Sequence, residues 1–366
     1  MHLPLKTYIK NIKNLYLHSL DHSNKLHIVL GNESADLDSI ASSIAYAYLL
    51  KYQALELEPL YFPLISTTQE DLSLRKDVIW LLELLHIEIE DLIFLDEVPL
   101  QQLILKGLIT VSLVDHNLLT PSLEFLAPSV TSIIDHHKDE DASYPALIDK
   151  QIESVGSTAS LIAEKWFEKT SIPADVATLL LSTILLDTHN LQSKEKTTLK
   201  DQQMVEFLKT AVDQPLCLKR LYLDLLKARQ DISTFTPLQI LYKDFKIYKS
   251  VHLTYGMASL SDQISWWVED EDFLQPILKQ VLENKKLNFI FLLMNDSHSQ
   301  IGQRKLLLFC LEATLLNQID EKLKNNSALK KILKVEPSPK NLHFKYYSTN
   351  THISRKHLQP LLHEAI

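Results

Sequence analysis

Through the first half of this 366-residue sequence, short apolar runs that end in polar or acidic residues alternate with longer amphipathic stretches. This alternation is typical of βα units arranged around a mostly parallel sheet. The clearest predicted strands are 108–114 and 130–134, and an aspartate follows each one directly. The other predicted elements are strands at 26–30, 60–65 and 92–95 and helices at about 38–53, 77–86, 157–167 and 173–186. We therefore expect a mostly parallel sheet flanked by helices.

The second half of the chain predicts a further, smaller α/β set. A charged segment at 194–203 and a helical pattern that runs through residue 229 separate the two sets. The later elements are strands at 252–258, 288–294 and 305–311, a helix near 275–284 and a last strand and helix within 342–364. A chain of this length also exceeds what one hydrophobic core usually organises. We therefore expect two domains, residues 1–225 and 226–366.

Composition argues against several classes of function. A formal net charge of −9 argues against nucleic-acid binding unless basic residues are gathered on one face. Cys217 and Cys310 lie far apart, which argues against a disulfide framework and a cysteine zinc site. The apolar run at 176–186 is too short to span a bilayer, and the first 20 residues lack the pattern of a signal peptide. We expect a cytoplasmic monomer without nucleic-acid or membrane partners.

The small number of glycines restricts how this chain can bind phosphate. Only five are present, and no two share a short loop, so a P-loop and a dinucleotide-binding loop are both excluded. Phosphate chemistry must then use side chains or metals. The stretch Gly156-Ser157-Thr158-Ala159-Ser160 is either a backbone phosphate cradle or an ordinary capped helix start. The pair Trp266-Trp267 is either a base-stacking platform or, as we favour, part of the core.

Four segments of the first half place acidic or imidazole side chains just beyond a predicted element. They are Gly31-Asn32-Glu33-Ser34-Ala35-Asp36-Leu37-Asp38-Ser39, Val114-Asp115-His116-Asn117, Ile134-Asp135-His136-His137-Lys138 and Leu186-Asp187-Thr188-His189-Asn190. Because the carboxyl ends of parallel strands line one crevice, such side chains converge even when they are distant in sequence. Several carboxylates suit Mg²⁺ and Mn²⁺, and an added imidazole suits Mn²⁺ or another transition ion. The segments together predict a site for divalent cations.

Each segment taken alone also has an ordinary explanation. Asp36 and Asp38 precede a helix and are suitable N-caps. Asp115 is compatible with a turn at a strand end, and the paired histidines with an exposed loop. Asp187 is compatible with a simple helix end. The functional interpretation rests on all four segments occurring in one chain and in this order.

In that order, Asn-x-x-x-Asp-x-Asp-Ser, Asp-His-Asn, Asp-His-His and Asp-Thr resemble the four motifs of the DHH phosphoesterase superfamily, named for the third. The form of residues 31–39 is similar to the exopolyphosphatase and prune branch, close to fungal cytosolic exopolyphosphatases. The pyrophosphatases of the superfamily usually have histidine where this chain has Asn32. Ala228-Arg229-Gln230-Asp231, Asp244-Phe245-Lys246 and Ser354-Arg355-Lys356 resemble the associated C-terminal domain. The resemblance extends from about residue 25 to the end.

The resemblance implies a fold, an activity and a cofactor. The fold is a catalytic domain and a smaller substrate-binding domain with the active site in the cleft between them. The activity is an exopolyphosphatase, which hydrolyses the terminal phosphoanhydride bond of inorganic polyphosphate and releases orthophosphate. The cofactor is a pair of divalent cations, Mn²⁺ or Mg²⁺, that activates the attacking water. One cation would be held by Asp36, Asp115 and Asp187, and the other by Asp38, Asp115, His136 and Asp187.

Other residues receive roles through the same resemblance. Asp115, His137 and Asp187 are expected to be catalytic, and Asp135 is expected to orient an imidazole. The residues expected to bind substrate phosphates are Asn32, His137, Lys246, Arg355 and Lys356. A cation-lined cleft of this kind is compatible with a net negative chain.

Competing functions remain open at this stage. They are a short-chain polyphosphatase, a pyrophosphatase, a nucleotide or oligonucleotide phosphodiesterase and a prune-like regulatory scaffold. Phosphodiesterase branches commonly carry a Gly-Gly-Gly-His signature, and this sequence contains no Gly-Gly. Prune-like proteins often add a long C-terminal extension, whereas this sequence stops at Ile366, just after the last predicted helix. We therefore expect an enzyme.

Overall fold

A computed structural model describes most of the chain and divides it into two compact units. The described residues are 3–19, 24–54, 59–169, 171–212, 217–260, 270–295, 303–337, 341–350 and 353–366. The units comprise residues 1–231 and 232–366. The pair Trp266-Trp267 lies outside the described residues, so the two interpretations of it stay open.

The first unit is built on a parallel sheet with the strand order β3-β2-β1-β4-β5-β6. Its strands are β1 (Leu26–Leu30), β2 (Leu60–Ile65), β3 (Ile93–Phe94), β4 (Ile109–Val114), β5 (Val130–Asp135) and β6 (Asp149–Ile152). All five predicted strands of this half are confirmed, although β3 has only two residues. Strand β6 was not predicted, because it is a half-exposed edge strand with the polar sequence Asp-Lys-Gln-Ile.

Nine helices in the described part of the first unit surround this sheet. They are α1 (Leu5–Ser19), α2 (Leu37–Gln53), α3 (Gln69–Leu72), α4 (Lys76–Leu84), α5 (Leu100–Leu105), α6 (Thr158–Phe167), α7 (Ala174–Asp187), α8 (Leu199–Ala211) and α9 (Leu218–Gln230). Helix α7 begins one residue after its predicted start, because Pro173 is its N-cap. Every residue from 37 to 49 is buried, because the sheet, α6 and α7 all pack against α2.

The strand order determines where the acidic segments meet. Strands β1 and β4 are neighbours, with Leu30 beside Leu113, so the loop after β1 begins next to the end of β4. Strands β4 and β5 are also neighbours, with Val114 beside Ile134. The order of the sheet reverses between β1 and β4, and in open α/β folds ligands bind in the crevice at such a point. Three of the four predicted segments therefore begin at the carboxyl ends of neighbouring strands.

The second unit contains a mixed sheet in the order β11-β12-β10-β9-β8-β7, in which β8 and β9 are parallel and the other pairs are antiparallel. Its strands are β7 (Phe245–Lys249), β8 (Thr254–Leu260), β9 (Phe289–Asn295), β10 (Gln303–Phe309), β11 (Leu333–Val335) and β12 (Phe344–Asn350). Its helices are α10 (Pro237–Lys243), α11 (Glu271–Lys285), α12 (Ala313–Asn325) and α13 (Arg355–Ala365). The predicted strands correspond to β8, β9, β10 and β12, and two strands were missed, the mostly exposed β7 and the three-residue β11.

Each face of the second sheet carries an apolar cluster. Alternate residues of β9 enter opposite apolar clusters, with Ile290 and Leu292 in one cluster and Phe289 and Phe291 in the other. Burial on both faces requires an apolar run in this strand, and the sequence predicted the strand at 288–294. Among the described residues of both units, no helix combines the length and apolar character needed to cross a bilayer.

Candidate metal centre

The loop after β1 is fixed to the start of α2 and to the end of β4. Asp36 is the N-cap of α2, and its Oδ1 accepts a hydrogen bond from the backbone N–H of Ser39 at 3.1 Å. Asn32 Oδ1 accepts a hydrogen bond from Ser34 N at 3.0 Å, and Asn32 Nδ2 donates to the carbonyl of Asp115 at 3.1 Å. The cap interpretation of Asp36 is thus correct. The contacts of Asn32 hold the loop against the residue that follows β4.

Asp38 lies buried at the N-terminus of α6, a helix 120 residues further along the chain. Its Oδ2 accepts a hydrogen bond from Thr158 N at 2.7 Å, and its Oδ1 accepts one from Ala159 N at 2.9 Å. These amides and the positive end of the helix dipole favour a negative carboxylate. The stretch that begins at Gly156 therefore presents these two amides to Asp38, while Ser157 caps the helix and accepts from Ala159 N. The capped-helix interpretation of this stretch is correct.

Asp115 lies at the centre of the cluster in a left-handed backbone conformation. Its φ is +62°, a region in which a residue other than glycine stores about 1 kcal/mol or more of strain. Its carboxylate is 2% exposed, and Oδ2 accepts from Ser39 Oγ at 3.0 Å. Oδ1 accepts from Thr158 Oγ1 at 3.3 Å. Strained residues of this kind cluster at functional sites, where the surroundings hold them in place.

His136 presents one ring nitrogen to two of the carboxylates. Its Nε2 is 3.5 Å from Asp115 Oδ1 and 3.8 Å from Asp38 Oδ2. Its Nδ1 is 3.0 Å from the carbonyl oxygen of Val155. Because a carbonyl only accepts, Nδ1 carries a proton, and in the neutral ring Nε2 then carries the lone pair. This arrangement is the one in which histidine ligates metals.

His137 is held differently. Its Nδ1 lies 2.8 Å from Oδ1 of the fully buried Asp135 and 3.8 Å from Asp115 Oδ1. The hydrogen bond to Asp135 raises the pKa of His137 above its ordinary value. Asp135 is itself fixed by Asn117 Nδ2, which donates to its Oδ2 at 2.5 Å. Asp135 thus makes the imidazole contact that the sequence predicted for it.

Asp187, the last residue of α7, completes the acidic cluster. Burial and the neighbouring Asp36 raise the pKa of Asp187 to about 7. Ser157 donates a hydrogen bond to it, yet its buried Oδ2 has no hydrogen-bond partner among the described residues. A buried carboxylate oxygen of this kind is costly unless a cation or a proton satisfies it. The residues present therefore fit a divalent cation.

The electrostatics of the cluster support the same conclusion. Burial raises the pKa of Asp38 well above its ordinary value, and the negative charges of Asp115 and Asp187 raise it further. Such crowding of buried acids is unfavourable without compensating positive charge and is typical of functional sites. One nitrogen or oxygen from each of Asp115, His136 and His137 lies within 4.8 Å of the others. This group contains two of the predicted ligands, Asp115 and His136, together with His137, which was predicted to contact substrate; the other predicted ligands are Asp36, Asp38 and Asp187.

The predicted basic residues belong to the second unit. The guanidinium of Arg355 is anchored to Asp244, with 2.7 Å from Nη2 to Oδ1 and 2.6 Å from Nη1 to the carbonyl oxygen. Lys246 lies on β7, two residues after Asp244, and Lys356 lies in the first turn of α13, next to Arg355; both are exposed. These three basic residues are therefore gathered within the second unit.

Sequence reasoning missed three residues that act on this cluster. Thr158 was considered only as part of a phosphate cradle or a capped helix start, and Asp201 was assigned no role. Arg229 was noted in a motif, but its positive charge also lowers the pKa of Asp187, and its Nε lies 3.7 Å from Asp77 Oδ2. The Thr-x-x-Asp capping box at Thr198 could have predicted that Asp201 caps its helix. The contacts of Asp201 with a distant loop could not be predicted from the sequence.

Family models match both halves of the chain. The model of the DHH family N-terminal domain matches residues 27–184, and the DHHA2 domain model matches residues 223–365. Exopolyphosphatase PRUNE1 of Homo sapiens is 31% identical over 354 residues, which cover 95% of this chain and 77% of that protein. A putative exopolyphosphatase of Schizosaccharomyces pombe is 30% identical over 98% of this chain and 96% of its own length.

Pyrophosphatases are also similar to this chain. A manganese-dependent inorganic pyrophosphatase of Methanothrix thermoacetophila is 27% identical over 73% of this chain and 80% of that protein. The crystal structure of a putative family II inorganic pyrophosphatase of Methanococcus jannaschii superposes with a TM-score of 0.59 at 23% identity. It covers 93% of this chain and 99% of the other, and it shows the fold.

The strand order and the carboxylate–imidazole cluster define a DHH-type α/β protein with an associated DHHA2 domain. The chain belongs to the DHH family, in its exopolyphosphatase and prune branch, as the four motifs indicated.

Proposed function

We propose that this chain is an exopolyphosphatase that removes terminal phosphate from inorganic polyphosphate with the help of two divalent cations, Mn²⁺ or Mg²⁺. Its membership of a family whose named relatives are exopolyphosphatases and pyrophosphatases makes it a hydrolase of phosphorus-containing anhydrides. The single observation that carries the proposal is the convergence of Asp38, Asp115 and His136 at the carboxyl end of the parallel sheet.

The donor set supports a pair of cations. When bound, divalent cations in such a site lower the pKa of water and stabilise charge on phosphoryl oxygens. Asp115 and Asp187 are the proposed shared ligands, Asp36 the additional ligand of one cation, and Asp38 and His136 those of the other. The likeness to a manganese-dependent pyrophosphatase supports Mn²⁺, and oxygen-rich donors also accept Mg²⁺.

The remaining residues bind and orient the substrate. His137, held at Nδ1 by Asp135, keeps its ring protonated more readily and supplies positive charge beside the phosphoryl oxygens. Asn32, whose amide braces the loop after β1, is the proposed neutral contact at the same end of the sheet. Lys246, Arg355 and Lys356 are proposed to hold the following phosphates, for which a guanidinium fork is well suited.

Inorganic pyrophosphatase is the second candidate, favoured by the likeness to pyrophosphatases. Against it, Asn32 stands where pyrophosphatases of this superfamily usually have a histidine. An amide oxygen is a weaker ligand than imidazole for a transition ion such as Mn²⁺. We therefore propose polyphosphate as the substrate. A cytoplasmic, monomeric state without nucleic-acid or membrane partners stays a proposal from composition.

Release of orthophosphate from polyphosphates of graded length, in Mn²⁺ and in Mg²⁺, tests the proposal. We expect turnover on chains longer than pyrophosphate and loss of turnover with a chelator. Hydrolysis of pyrophosphate alone would favour the second candidate. No release from any chain length, together with tight binding of a partner protein, would favour the prune-like scaffold.

A further inference from the structure

One short segment touches four of the proposed metal ligands. The Val155–Ala159 segment runs from the loop after β6 into the first turn of α6. Its contacts are a carbonyl for His136, two amides for Asp38, one hydroxyl for Asp115 and another for Asp187. The position of this segment therefore determines how these side chains are aligned with one another.

The carboxylate of Asp201 anchors this segment from behind. It is fully buried, and its two oxygens accept from Gly156 N at 3.1 and 2.9 Å. Ser160 Oγ donates to Oδ1 at 2.5 Å, and both the amide and the hydroxyl of Thr198 donate to Oδ2 at 2.7 Å. Asp201 thus ties the first turn of α8 to the first turn of α6, and it directly touches none of the proposed ligands in the contacts described.

Gly156 permits this close approach. A Cβ at residue 156 would lie 2.6 Å from Thr188 Cγ2, 2.8 Å from the carbonyl oxygen of Lys196 and 2.9 Å from Asp201 Oδ2. A side chain there would push the segment away from Asp201 and from Thr188, the residue after Asp187. The packing therefore leaves the segment little freedom to move while Asp201 is in place.

From these contacts we propose that Asp201 is a positioning residue, which sets the divalent-cation affinity of the site by fixing the Val155–Ala159 segment. The inference rests on the proposed metal-dependent function and deepens it. Residues that orient metal ligands typically change metal affinity by about 10–100-fold when they are replaced. Asp201 acts one step further back, through backbone and hydroxyl groups, and keeps those groups aimed at the carboxylates and the imidazole.

The test is Mn²⁺ binding to the metal-free full chain, measured by electron paramagnetic resonance of the free ion. Asp201→Asn keeps the size of the side chain but replaces one of its two accepting oxygens with an NH₂ group. Because the two oxygens accept from four donor groups, some of these hydrogen bonds are lost. We expect its Kd for Mn²⁺ to rise at least about tenfold. The matched control is Asp320→Asn, because Asp320 is another buried carboxylate, 6% exposed, that accepts from Tyr347 Oη at 2.6 Å in the second unit. We expect the control to lower the melting temperature and to keep the wild-type Kd.

The outcomes separate the inference from the function it rests on. If the wild type binds Mn²⁺ and folded Asp201→Asn binds it with the same Kd, the positioning role alone is overturned. Absence of Mn²⁺ binding in the wild type would overturn the metal site and the positioning role together. If Asp201→Asn does not fold, Ser160→Ala is measured instead, since it removes one donor to Asp201. A rise in its Kd supports the role, and an unchanged Kd overturns it.

Discussion

His136 Nε2 lies 3.5 Å from Asp115 Oδ1, although the two residues follow different strands of the parallel sheet. Asp115 follows β4 directly, and His136 follows β5. The register of β4 with β5 brings the two residues together, and the carbonyl of Val155 turns the imidazole so that Nε2 faces the carboxylate. The centre of the site is therefore a consequence of strand order.

Replacing Asp115 removes the proposed shared ligand. Asp115→Ala is expected to lower metal-dependent turnover by about a thousandfold, since several kcal/mol of transition-state stabilisation depend on the cations. Initial rates of orthophosphate release at saturating Mn²⁺ measure the effect. Asp149→Asn, on the exposed strand β6, is the control and should keep the wild-type rate. A near-normal rate for Asp115→Ala would contradict the assignment of the site.

His136 contributes the proposed imidazole ligand, so its loss should be seen in metal binding before substrate is added. His136→Ala is expected to raise the Kd for Mn²⁺ by about tenfold or more, because one donor is lost. Titration of the metal-free protein with Mn²⁺ provides the measurement. His343→Ala, in the second unit, is the matched control and should bind Mn²⁺ as the wild type does. Equal affinity of both variants would show that His136 is no ligand.

Arg355 is expected to act on substrate binding. Arg355→Ala should raise the KM for polyphosphate by about tenfold with a smaller change in kcat, because charged hydrogen bonds to phosphate contribute about 1.5–3 kcal/mol. Asp244→Asn should shift KM in the same direction, since it loosens the guanidinium that Asp244 holds at 2.7 Å. Lys334→Ala, an exposed basic residue on β11, is the control. An unchanged KM in both test variants would remove Arg355 from the substrate site.

The stability of the first unit should fall in mild acid because of His27. Burial lowers the pKa of His27 to about 4, while its Nδ1 and Nε2 lie 2.8 Å from Thr110 Oγ1 and 2.7 Å from Ser112 Oγ. In the unfolded chain the pKa of His27 is about 6.5, so as the pH falls the unfolded state binds a proton before the folded state does. The free energy of unfolding should then decrease by up to about 1.4 kcal/mol per pH unit as the pH falls from 6.5 towards 4.

Denaturant unfolding of the metal-free protein across this range measures the decrease, and His27→Gln provides the comparison. The variant lacks the titrating group, so the difference in stability between wild type and variant should narrow as the pH falls. A difference that stays constant from pH 7 to pH 4.5 would show that His27 is not buried in its neutral form.

The parts of the fold that the sequence predicted are those in which burial determines residue type. Strands β1, β2 and β9 are largely buried on both faces and, apart from His27 in β1, appear as apolar runs, so their positions could be predicted. Strands β6 and β7 lie at sheet edges, where polar residues are tolerated and the pattern disappears.

The candidate site was predictable for a similar reason, but only in part. Asp115 and His136 directly follow strands, so the topology of a parallel sheet was enough to bring them together. Asp36 shows that a helix cap can also border the site, so these two interpretations did not compete. The role of Asp201 depends on contacts with Gly156 and Ser160, more than 40 residues away, and no local pattern encodes such a contact.

Anomalous diffraction from crystals of the full chain grown with Mn²⁺ tests the central claim most directly. We predict two manganese peaks, both bounded by Asp115 and Asp187, with Asp36 at one and Asp38 and His136 at the other. Crystals that diffract well and show no manganese at these residues, or show it bound elsewhere, would contradict the account.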